Sequence, residues 1–121
     1  MKEILVVGMG GFIGASFRHA IGIWTSQSFK TGFPFGTFFV NVVGCFLIGF
    51  FFSLGFDKNT ELPLKEFMVI GILGGFTTFS AFGFETFTML KSGQFKLAII
   101  YILSSMIFGL ISVGLGMSIS R

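Results

Sequence analysis

The sequence predicts an all-α integral membrane protein with four transmembrane helices, and two observations carry that prediction. Hydrophobic residues make up 53% of the 121 residues and charged residues only 11%, with a mean hydropathy of +0.93; soluble domains average about 25% charged. The apolar residues also fall into four blocks of roughly 20, long enough at about 1.5 Å per residue to cross a hydrocarbon core of about 30 Å. The second block is the clearest, because no Asp, Glu, Lys or Arg occurs from Thr31 to Phe56. The spans are expected at about 4–24, 33–56, 67–90 and 96–118, and they take up nearly the whole chain as one domain, 1–121.

Span one opens "ILVVGMGGFIGA", which imitates a dinucleotide-binding turn through Gly8, Gly10 and Gly14. That fingerprint needs a βαβ unit and an acidic residue about 20 positions on, whereas the next acidic residue after Glu3 is Asp57. In a membrane helix Gly10 and Gly14 instead form a small-xxx-small face for close helix approach. A basic Lys2 precedes the apolar run, as in a secretory signal. Arg18 and His19 interrupt that run and no small-x-small cleavage site follows a short core, so the span is expected to be retained. Arg18 can snorkel, Trp24 suits an interfacial anchor and His19 reads as interfacial.

Span two starts near Pro34, where a missing backbone donor does least harm. Thr37 and Asn41 are one turn apart and share a face. An amide in the bilayer core is costly without a partner or a wet cavity, so Asn41 reads either as an interhelical hydrogen bond or as a donor lining a pathway. Cys45 reads as a small buried apolar residue.

Span three, near Pro63, contains "GGFTTFSAF" at 74–82. Gly74 and Gly75 followed by Thr77 and Thr78 suit a helix break, which is tolerated at membrane depth only where it is buried or lines a cavity. A break frees carbonyl oxygens, hard ligands for a small cation. Phe79 and Phe82 then share a face, and their ring edges are positive enough to meet an anion without holding it as a full charge would. Gly71 and Gly75 repeat the small-xxx-small spacing. Glu85 is the acidic residue inside the spans, expected in a water-filled vestibule. Span four carries Tyr101, Ser104, Ser105 and Ser112, of which some serines are expected to bond back one turn.

Loop charges set orientation. Lys2, Lys58, Lys65 and Arg121 fall on one side and Lys30, Lys91 and Lys96 on the other. So near a tie fits dual topology with antiparallel pairing of two copies, and equally fits a chance balance.

No nucleophile with its base, metal-ligand cluster or phosphate loop emerges, so neither an enzyme nor a nucleic-acid partner is expected. The inventory of neutral donors and ring edges is that of a pore for a small, strongly hydrated anion. "GGFIGASFRH" (10–19), "GTFFVNVVGCFLIG" (36–49) and "GGFTTFSAF" (74–82) resemble the three signature segments of the Fluc-type fluoride channels, also called the CrcB family. The resemblance runs the whole length. It implies an antiparallel homodimer in the plasma membrane, with two pores that export toxic fluoride from the cytoplasm. By position it makes Asn41 the pore amide, Phe79 and Phe82 the rings that meet fluoride, Thr37 part of the same wall, and Tyr101 and Ser105 a polar track. Family members can carry a further hydroxyl one turn on, where this chain has Gly109. The resemblance also implies a sodium ion at the dimer centre, held by the backbone carbonyls of Gly74 and Thr77 from each subunit. Arg18 and Glu85 match family positions near a vestibule. A rival class, the small multidrug exporters, needs a carboxylate in span one, where this chain has Arg18. An accessory subunit of a larger complex would explain the glycine faces but not Asn41 beside a broken span.

Overall fold

The computed structural model describes residues 1–54 and 64–119, and within them every regular element is helical. Helix α1 is Lys2–Ser28 and α2 is Phe35–Ser53. Span three begins as α3, a π-helical Glu66–Leu73 running into an α-helical Gly74–Phe76, and continues after a break as α4, Phe79–Lys91. Helix α5 is Phe95–Ile119. Among the described residues four segments, Lys2–Ser28, Phe35–Ser53, Glu66–Lys91 and Phe95–Ile119, are long and apolar enough to cross a membrane.

Span one runs past its expected end. Its 27 residues make a rod of about 40 Å, longer than the hydrocarbon core, because the polar Thr25 and Ser26 stay helical by bonding back to carbonyls of Ile21, Gly22 and Ile23. Of the segment that the expected spans leave between 56 and 67, residues 57–63, with Lys58 and Pro63, lie outside the described residues, and so does Arg121. The connection that the expected spans leave at 91–95 shrinks to Ser92–Gln94 between the two helices. There Gly93 takes φ +83°, and Gln94 N–H bonds Met89 O at 2.8 Å, a left-handed glycine closing the helix end.

The break falls later than its glycines suggest. Gly74 and Gly75 are helical, and the chain becomes extended at Thr77 (φ −93°, ψ 160°) and Thr78 (φ −154°, ψ 124°). Branching at Cβ favours extended backbone at both threonines, and Thr78 caps α4, its Oγ1 accepting from Ala81 N–H at 3.1 Å. Most of the glycines on this face bring backbones together. A Cβ on Gly10 would lie 2.9 Å from Gly71 Cα, and one on Gly75 would lie 2.6 Å from Gly11 O. The two small-xxx-small faces of α1 and span three therefore pack on each other. Gly49 and Gly116 do the same for α2 and α5: a Cβ on Gly116 would lie 2.8 Å from Phe50 N. Around the far end of α4, Met89, Ala98 and Tyr101 form a buried cluster flanked by Phe33, Phe38, Phe82 and Leu97.

Candidate functional site

Unwound backbone at membrane depth must find partners, and the break can be followed group by group. Asn41 faces Thr78 squarely: Thr78 N–H donates to Asn41 Oδ1 at 2.8 Å, and Asn41 Nδ2 donates to Thr78 O at 2.9 Å. On the other side of the break, Thr77 N–H and Thr77 Oγ1 both donate to Leu73 O, at 3.1 and 3.0 Å. Arg18 Nε donates to Gly75 O at 3.0 Å. Two carbonyls are deprived of their helical donors by these bonds. A continuous helix would give Thr78 N–H to Gly74 O and Ala81 N–H to Thr77 O; the first goes to Asn41 and the second to the Thr78 hydroxyl.

Beyond the break a row of rings and polar groups runs along α4 towards α5. Phe79, 83% exposed, lies 5.8 Å from Phe82 between ring centroids. The half-buried Phe82 lies 5.0 Å from the ring of the fully buried Tyr101. Tyr101 OH donates to Glu85 Oε1 at 2.8 Å, and Thr37 Oγ1 donates to Glu85 Oε2 at 2.7 Å. Thr37 and Asn41, sharing one face of α2, thus tie that helix to α4 and to the break respectively. Glu85 lines three clefts, of about 390, 310 and 210 Å³. The second holds Arg18, His19, Thr37 and Thr78 as well. Asn41, Gly74, Thr77, Thr78 and Phe79 line a further groove of about 340 Å³.

The structure therefore brings together Thr37, Asn41, Phe79, Phe82, Glu85 and Tyr101. Arg18 shares a cleft with Thr37 and Glu85, and Gly74 and Thr77 share the groove with Asn41 and Phe79. Ser104 bonds back to Tyr101 O at 3.3 Å, the expected local role; the half-buried Ser105 stands one turn after Tyr101 on α5. Several contacts were not read from the sequence, the two partners of Glu85 and the Arg18 bond to Gly75 O among them. Thr78 caps α4 and meets Asn41, a role signalled by a threonine immediately before the helical "FSAF". At Gly109, a Cβ would lie 3.5 Å from Cys45 Sγ, in ordinary contact with the half-buried thiol.

A family profile described as "CrcB-like protein, Camphor Resistance (CrcB)" matches residues 5–117. The chain belongs to this family. Among its relatives, the "Fluoride-specific ion channel FluC" of Chloroflexus aurantiacus is 43% identical over 122 residues, covering 100% of this chain and 97% of the relative. Proteins of the same name from Roseiflexus sp. and Parabacteroides distasonis are 42% and 38% identical. The first covers 98% of this chain and 97% of the relative, the second 100% and 94%. Membership in this family, with four spanning helices, makes the chain a multi-pass membrane protein.

Proposed function

We infer that the protein is a fluoride-selective channel of the plasma membrane, not an enzyme, through which fluoride leaves the cytoplasm and its toxicity is relieved. One observation carries the reading: relatives of full length and matching span are named fluoride-specific channels, and the chain's own chemistry suits that ion. Fluoride is small and strongly hydrated, so a pore must replace its water with fixed donors. Asn41 keeps one N–H beyond its bond to Thr78. Phe79 and Phe82 offer positive ring edges. The hydroxyls of Thr37 and Tyr101 can rotate from Glu85 to a passing ion, and Ser105 continues the track along α5.

The pore is completed by a second copy in antiparallel orientation. The near-tie of flanking charges supports insertion both ways, and the exposure of Phe79 beside the open groove supports a partner on that face. At the two-fold axis a sodium ion fits the donor chemistry. The oxygens of Gly74 and Thr77 lack their helical amides, are hard ligands, and would number four in two chains. When bound, sodium would supply structural charge at the centre; it takes no part in moving the anion. Arg18, in the cleft with Glu85, would draw anions towards the pore. The multidrug-exporter reading lacks a carboxylate in span one after Glu3.

The test is efflux from liposomes loaded with potassium fluoride or potassium chloride, with valinomycin balancing charge. Fast fluoride release with chloride retained is expected; release of neither, or of both equally, contradicts the reading. Reporters fused to the C-terminus test the pairing: both cytoplasmic and external reporters should be active, and activity of one alone excludes dual topology.

A further inference from the structure

Gly75 O is a further carbonyl that the break deprives of its helical donor, besides those of Gly74 and Thr77. In an unbroken helix Gly75 O would accept from Phe79 N–H; here it accepts from Arg18 Nε at 3.0 Å. Arg18 reaches it because Gly14, one turn earlier on α1, lies flat on the backbone of Ile72 and Phe76, where a Cβ would have no room. The carbonyl end of a helix is its negative end, favourable for a cation. Guanidinium adds a fork, with one nitrogen in the chain of the side chain and two beyond it. The same side chain lines the cleft of about 310 Å³ with Thr37, Thr78 and Glu85.

We propose that Arg18 is the positioning residue of the break. Through Nε it holds the carbonyl end of α3 against α1 and keeps Gly75 O apart from the Gly74 and Thr77 oxygens. Its terminal nitrogens remain for an anion in the cleft. The arginine thus acts on the pore through the backbone, by fixing the segment whose next amide, Thr78 N–H, meets Asn41.

The atoms of two replacements separate these roles. Glutamine carries its amide nitrogen at the same number of bonds from Cα as Arg Nε, so Arg18→Gln keeps the donor and loses the charge. Lysine carries a methylene at that place, so Arg18→Lys keeps the charge and loses the donor. Amide hydrogen exchange of the full protein in lipid nanodiscs, read over 74–81, tests the brace. Arg18→Lys should speed exchange there by about tenfold, while Arg18→Gln stays near the wild-type rate. Wild-type exchange in Arg18→Lys, or equal acceleration in both variants, overturns the assignment to Nε. The anion-facing half rests on the channel reading and is tested by flux. Arg18→Gln should raise the fluoride concentration for half-maximal rate and Arg18→Lys should not; an unchanged value in Arg18→Gln overturns it. If the wild-type protein itself carries no fluoride, the channel reading fails, and exchange still judges the brace.

Discussion

Asn41→Ala removes both bonds that join α2 to the break. Thr78 N–H loses its acceptor at 2.8 Å, and Thr78 O loses a donor at 2.9 Å. The carbonyl keeps the first intrahelical bond of α4, as a capping residue does, so the larger loss is the stranded N–H. A buried backbone group without a partner costs about 1–3 kcal/mol, and an ordinary hydrogen bond contributes about 1. The expected loss is about 3 kcal/mol. The chain has one tryptophan, Trp24, so unfolding can be followed by its fluorescence as sodium dodecyl sulfate is titrated into mixed micelles. All variants must share one protein concentration, because the stability of the proposed dimer would depend on it. Asn41→Asp is the companion: it keeps Oδ1 but turns an oxygen on Thr78 O, and should lose at least as much. A loss below about 1 kcal/mol for Asn41→Ala would refute the view that this amide holds the break.

Other substitutions probe separate parts of the account. Phe82→Ile should lower fluoride efflux to that of protein-free liposomes while the proposed dimer elutes unchanged on size exclusion; near-normal flux would remove ring edges as ligands. Gly14→Ala should cost about 1–3 kcal/mol in the same titration, because its Cβ meets backbone atoms of Ile72 and Phe76. Gly8→Ala, with nothing within 4 Å of its Cβ, should be neutral or gain about 0.5–1 kcal/mol, and equal losses at the two sites would contradict the packing. Thr77→Val keeps the carbonyl and the branched Cβ and removes only the Oγ1 bond to Leu73 O. Its cost should be about 1 kcal/mol with the proposed dimer retained; loss of that dimer would assign the proposed sodium site to the hydroxyl.

Hydropathy made the four spans legible because crossing a bilayer demands an unbroken apolar length, which composition records directly. The ends were less legible where polar residues stay helical, as Thr25 and Ser26 do by bonding back to their own helix. The broken third span was visible in "GGFTTF", but not which residues break. Glycine permits both a kink and a close contact, and only the neighbouring helix decides between them. Here Gly11 and Ala15 press on Gly75, leaving the extended conformation to the threonines. The shared face of Thr37 and Asn41 followed from helical spacing. That Thr37 meets Glu85 while Asn41 meets Thr78 did not, since both contacts join residues 37 or more apart in the chain. The same distance in sequence hid the bond from Arg18 to Gly75 and the thiol of Cys45 over Gly109.

The central claim is that fluoride crosses by a selective pore. The most direct measurement is the reversal potential of the purified protein in a planar bilayer, with fluoride graded across the membrane and chloride equal on both sides. A fluoride-selective pore gives a current that reverses at the fluoride equilibrium potential and stays there when chloride is then graded the opposite way. A reversal potential that follows chloride, or no current under either gradient, would contradict it.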